Sequence, residues 1–214
     1  PPHPRVTVPA AVDNPESPMD PAVPHPDVFV HVRIIIGMVL GLSVTRLVAG
    51  LTRFVQHPSR ERIYPVHIGW VLFLLLSIVH FWWFEFGLSS LPRWTFEIYL
   101  FLILYAVVFA MLAALLFPDR MDEYKGYEDY FQSRREWFYG LLALTFLLDL
   151  VDTRIKGVAH FQSLGIESPI RQAVFALCAL VAIFLPSRRY QTAFVAIGLL
   201  YQLVWIVRLY NTPG

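Results

Sequence analysis

Charge is scarce in this chain of 214 residues: Asp, Glu, Lys and Arg together make up 15%, against about 25% in soluble globular domains. Apolar residues reach 57% and the mean hydropathy is +0.54, which excludes an ordinary soluble domain and makes the bilayer the expected solvent. There is one cysteine, Cys178, set inside an apolar run, so a disulfide-stapled secreted module is excluded. High apolar content also excludes a chain disordered from end to end. A net charge of +1 gives no basic face on which nucleic acid could bind.

Catalytic signatures are missing as well. GxSxG, HExxH, CxxC, Walker A and GxGxxG do not occur, so the common nucleophile, zinc, redox and phosphate-loop chemistries lack their residues. An enzymatic role is therefore not expected. Neither a TVGYG-type filter nor a pair of interrupted helices marks an ion or substrate path. Strand alternation is absent too, which argues against an outer-membrane barrel.

What the chain does have is long apolar runs. A crossing needs about 20 residues, because the hydrocarbon layer is about 30 Å thick and a helix rises about 1.5 Å per residue. Six runs qualify: Val28 to Val55, Pro65 to Leu88, Pro92 to Phe117, Trp137 to Thr153, Ile170 to Leu185 and Tyr190 to Tyr210. Prolines 58, 65, 92, 118, 169, 186 and 213 punctuate them, as a residue without an N–H does at helix edges. The expected fold is all-α: a polytopic bundle of six transmembrane helices over residues 28–214. A bacterial inner membrane is the expected location. Residues 1–27 carry nine prolines and no apolar h-region, and read as an extramembrane tail rather than a signal peptide.

Aromatic residues near the ends of the runs, among them Trp70, Trp82, Trp83, Trp94, Trp137, Tyr139 and Trp205, suggest an interfacial belt. In the polar connection 118–136, Tyr124, Tyr127, Tyr130 and Phe131 recur every three to four residues, which predicts a short amphipathic helix in the membrane plane. Counting Lys and Arg in the short loops gives nine on one side and seven on the side of the termini, a small bias toward both termini outside the cytoplasm.

Ionisable residues inside spans cost about 2.5–3.5 kcal/mol at a helix centre, so each is a candidate for function. Threading the runs up and down gathers His31, Arg33, His80, Glu85, Glu97, Asp149, Asp152, Arg171 and Arg208 on the side of the termini, with Arg46 apart. Thr145, Asp149, Asp152 and Lys156 fall at i, i+4, i+7 and i+11, one stripe of a helix. That stripe is expected to turn inward toward Arg33, Arg46 or Arg208, as an ion path or as a buried ion-pair network. Arg46 alone is no voltage sensor, which needs an arginine array. It is expected to snorkel toward Arg53 or to pair internally. Gly37 and Gly41 form a GxxxG pair suited to close helix approach. His31 and His80 are candidate ligands for a tetrapyrrole or, with Glu85, Glu97 or Asp152, a metal. His67 and His80 lie about 140° apart around one helix and cannot serve two cofactors stacked on one face.

Three functional expectations follow. A proline-rich tail that cannot form a core favours an accessory or structural subunit, with the lipid bilayer and other membrane subunits or a second copy as partners. The carboxylate stripe favours a small proton or cation channel or carrier. The histidines favour a tetrapyrrole or metal protein.

Overall fold

The computed structural model describes residues 26–57, 63–91 and 93–210, and within them the chain is helical with no strand. The tail before Pro26, together with Pro58, Arg60, Arg62, Pro92 and Pro213, lies outside the described residues. The helices are α1 (Pro26–Gln56), α2 (Pro65–Phe84), α3 (Phe96–Leu116), α4 (Tyr127–Ile155), the short α5 (Val158–Ser163), α6 (Glu167–Phe184) and α7 (Arg188–Tyr210). A 3-10 turn, Glu85–Ser90, continues α2.

Local chemistry sets the helix ends. Pro65 opens α2 at its first position, where no N–H is needed. The Thr95 hydroxyl accepts from the Ile98 N–H at 3.4 Å and caps α3. Gly157, with φ of 107°, ends α4 in a conformation that side chains resist, immediately after Lys156.

Five helices are long and apolar enough to cross a membrane: α1, α2 with its 3-10 extension, α3, α6 and α7. The exception among the long helices is α4, whose apolar half holds Asp149, Asp152 and Arg154. It also begins ten residues before the Trp137 expected from sequence. The separate interfacial helix expected in 118–136 is absent. Residues Tyr127, Tyr130 and Phe131 instead start α4 and are buried in the bundle, because no helix breaker separates them from the apolar half and their spacing continues its inward face.

Contacts at the two ends show that the six long helices run alternately up and down. At one end, the His67 Nε2–H at the start of α2 donates to the Leu116 carbonyl at the end of α3, 2.6 Å away. Nearby, Gln132 early in α4 bonds Tyr64 at 3.2 Å and Gln191 of α7 at 2.8 Å, and Arg135 donates to the Ile183 carbonyl near the end of α6 at 3.2 Å. At the other end, Lys156 after α4 meets Glu85 after α2, and Arg33 near the start of α1 lies over the Phe86 ring at 3.6 Å.

Between these ends the core is aromatic. Trp70 donates to the Tyr139 hydroxyl at 3.1 Å, with the Phe73, Phe138 and Phe194 rings 5.1–5.6 Å from it. Trp70 and Tyr139 thus belong to the core, not to an interfacial belt, because each polar atom finds its partner inside. Trp82, Trp83 and Trp137 do face outward. The outer surface is apolar across all six long helices, with Ile34, Leu72, Leu104, Leu147, Leu177 and Leu200 among its exposed residues. On α4 the outward large hydrophobics are Trp137, Leu144, Leu147 and Val151, with Arg134, Glu136 and Arg154 also exposed, while Asp152 and Lys156 point inward.

Close helix approach depends on Gly50 rather than on the GxxxG pair. A Cβ at Gly50 would lie 2.3 Å from the Phe117 ring, one at Gly37 an ordinary 3.7 Å from Trp82, and one at Gly41 would touch nothing within 4 Å. Gly50→Val should therefore destabilise the bundle by about 1–3 kcal/mol through overpacking, whereas Gly41→Val should leave it unchanged. Thermal unfolding of the detergent-purified variants checks this contrast; equal effects at both positions would contradict the packing described.

Candidate functional site: a buried carboxylate chamber

The carboxylate stripe of α4 does turn inward. The Asp149, Asp152 and Lys156 side chains approach the 3-10 turn after α2 and the first turns of α6. The Lys156 Nζ sits 2.8 Å from Glu85 Oε1 and is also bonded to Asp152, one turn back on its own helix. All three side chains are fully buried. The Phe84 ring lies 4.6 Å from the ammonium, a cation–π contact that adds to the two carboxylates. This is a dry triad of one cation and two carboxylates.

One turn back along α4, Asp149 accepts from the Gln172 amide of α6 and, at 3.5 Å, from the Tyr105 hydroxyl of α3. These residues line a chamber with about 50 Å³ of free space, together with His80 and Phe84 of α2, Thr145 of α4, Arg171 of α6 and Gln202 of α7. That is room for roughly three or four waters, at about 10–15 Å³ each. Arg171 stacks on the Trp205 ring at 4.3 Å and forms no ion pair among the described residues; its buried Nε lacks a hydrogen-bond partner. The Thr145 hydroxyl bonds back to the Leu141 carbonyl at 2.9 Å, which satisfies it without another helix.

The counter-charges expected for the stripe are elsewhere, a correction with one cause: each found a nearer partner at its own end of its helix. Arg46 pairs with Asp119 at 2.8 Å and donates to the Phe117 carbonyl at 3.0 Å, at the far end of the bundle. Arg33 lies over the Phe86 ring. Arg208 bonds both oxygens of Glu167, at 3.0 and 3.2 Å. Glu97 is exposed at the start of α3, outside the chamber.

His31 and His80 are not brought to one site. His31 is on the exposed face of α1, whereas His80 faces a chamber to which α1 contributes no residue. Among the described residues no three His, Cys, Asp or Glu side chains converge as a metal site needs.

Sequence reasoning named Asp149, Asp152, Thr145 and Lys156 as a face but missed Tyr105 and Gln172 as members. Uncharged polar residues in or beside apolar runs were the available signal, since Gln172, Gln191 and Gln202 are all buried.

The chain matches no protein-family model, no curated protein and no solved structure. The chemistry of the chamber is what bears on function.

Removing the shared cation tests how the triad is held. Lys156→Met leaves Glu85 and Asp152 buried without a counter-charge and should cost about 3–5 kcal/mol, and adding Glu85→Gln should recover part of that loss. Denaturant titration in detergent measures both; a single variant as stable as the parent would show that the amine is not holding the triad.

Proposed function

We propose that the protein crosses the membrane six times and that its chamber binds and releases a proton or small cation, as the coupling site of a small channel or carrier. Support for a sixth crossing comes from the stretch 144–152 of α4, which presents Leu144, Leu147 and Val151 outward and Asp152 inward, the distribution that a lipid solvent favours. A bacterial inner membrane is the proposed location, since outer-membrane spans are β-barrels. Six crossings put both termini on one side. Accessibility of N- and C-terminal tags in sealed vesicles tests this, and tags found on opposite sides overturn it.

One observation carries the ion-binding reading. Three carboxylates lie close to two cations inside the bundle: Asp149 and Arg171 line the chamber, and Glu85 and Asp152 flank Lys156 beside it. Full ionisation leaves one uncompensated negative charge, and an unpaired buried charge is costly. Uptake of one proton or one monovalent cation restores neutrality, and the small free volume beside Asp149 supplies the place. Buried carboxylates combined with neutral hydrogen-bonding groups are characteristic of proton relays in membrane proteins.

The alternative of an accessory or structural subunit draws on the composition of the tail, whose first 25 residues lie outside the described part of the chain. No packing observation favours it over the chamber. The tetrapyrrole or metal alternative loses its paired histidines for the reason given above.

Flux into proteoliposomes under a pH or potassium gradient tests the transport reading. Wild-type protein is expected to conduct above protein-free vesicles, and Asp149→Asn with Asp152→Asn to return flux to background. No wild-type flux under either gradient, or undiminished flux in the double variant, overturns the assignment.

A further inference from the structure

A second gathering of charges lies at the end of the bundle opposite the carboxylate chamber. There α3 stops at Leu116, a polar loop follows, and α4 begins at Tyr127. Between the last turns of α3 and the first half of α4 is a groove with about 520 Å³ of free space, within the range of roughly 300–1,000 Å³ typical of small-molecule sites. Its two halves differ in chemistry. Met111, Ala114, Leu115 and Leu141 form apolar walls along the helices, whereas Arg46, Arg120, Arg134, Asp119 and Glu123 gather where the loop closes the groove. Met111 and Trp137 on its border face outward, so the groove opens onto the surface that lipid covers, and Trp is a residue that favours headgroup depth.

Arginine outnumbers acid at this rim. Arg46 is already matched, by Asp119 at 2.8 Å and the Phe117 carbonyl at 3.0 Å. Arg134 donates to the Tyr124 hydroxyl at 3.0 Å, a neutral partner that leaves its charge uncompensated and its other N–H groups available. Arg120 is exposed and, like Arg134, forms no ion pair among the described residues. Three arginines against two carboxylates, Asp119 and Glu123, leave the groove with a net charge of +1.

We propose that this groove is a binding site for an anionic phospholipid, which sets its phosphodiester on Arg120 and Arg134 and lays an acyl chain along Met111, Leu115 and Leu141. An apolar wall that becomes cationic at its polar edge complements a lipid headgroup and chain together, as basic pockets between transmembrane helices do. Guanidiniums offer paired N–H donors to phosphate oxygens. Charge then selects among phospholipids. A phosphodiester with a neutral head brings the groove to zero, whereas a zwitterionic lipid carries its own cation in beside the arginines and leaves the +1 in place. The site lies at the far end from Asp149 and does not depend on whether ions move through the chamber.

Trp137 reports occupancy, because bromine on an acyl chain quenches an indole that it touches. Its signal is the difference between the parent protein and Trp137→Phe, each reconstituted in phosphatidylcholine vesicles with rising fractions of dibrominated phosphatidylglycerol or dibrominated phosphatidylcholine. Brominated phosphatidylglycerol is expected to quench Trp137 at a mole fraction about ten-fold lower than brominated phosphatidylcholine. Arg120→Gln and Arg134→Gln, both at exposed positions, should each reduce that preference about five-fold, the scale of one basic residue beside anionic lipid. Arg189→Gln removes an exposed arginine at the same end but outside the groove and should leave the preference unchanged. Equal quenching by the two lipids, an undiminished preference when Arg120→Gln and Arg134→Gln are combined, or an equal loss in Arg189→Gln, the mark of diffuse attraction to the whole surface, would each overturn the proposal.

Discussion

A single ammonium group, held between two carboxylates where no water reaches, is the constraint from which much of the bundle's arrangement follows. Lys156 Nζ lies against Glu85 and Asp152 with all three side chains fully buried. In such surroundings the desolvation cost of each charge is several kcal/mol, and it is offset only when partners and hydrogen bonds are well aligned. That requirement ties the 3-10 turn after α2 to the last turn of α4. It also explains why α4 stops where it does: Gly157 turns the chain away in a conformation other residues resist, directly after the residue whose amine must stay inside.

The rest of the molecule is zoned around this point. Chain reversals at the far end are closed by side chains that reach carbonyls left over at helix ends: His67 to Leu116, Arg46 to Phe117 and Arg135 to Ile183. The middle layer is built from Trp70 and the rings around it, which bury large area while Tyr139 satisfies the indole N–H. At the end where α1 begins and α7 ends, three carboxylates, Glu85, Asp149 and Asp152, lie beside two cations, Lys156 and Arg171. The helices present Leu and Val to their surroundings, while Glu85, Asp152 and Lys156 are buried inside. The composition of α4 hides an apolar outer stretch, because Asp152 and Lys156 sit on the inner face while Leu144, Leu147 and Val151 face outward.

Parts of the site were legible before any coordinates. The spacing of Thr145, Asp149, Asp152 and Lys156 is enough to place them on one face, because 3.6 residues per turn is a property of the helix alone. Up-and-down threading put His80, Glu85 and Arg171 at the same end as that face, and they are there. The counter-charges were not legible. Arg33, Arg46 and Arg208 had the right sign, but which helices become neighbours is settled by packing, and each arginine met a closer partner in Phe86, Asp119 or Glu167. Residues 127–136 misled for a related reason. Their periodicity was real, yet the face it marks continues into α4 and turns toward Phe54 and Tyr64 rather than toward lipid headgroups.

Sequence alone determined that the chain is helical and apolar, where its long runs lie, and that the ionisable residues within those runs, Arg46 apart, fall toward one end, since hydropathy and helical period are local quantities that survive without knowledge of the neighbours. Tertiary structure decided that Glu85 shares Lys156 with Asp152, that Tyr105 and Gln172 supply the bonds to Asp149, and that Arg46, Arg120 and Arg134 meet at one groove between α3 and α4. Those outcomes depend on which helix faces press together. Inside a bilayer, where apolar faces are nearly interchangeable, that choice rests on close packing and on pairing every buried polar group, neither of which can be read from one segment at a time.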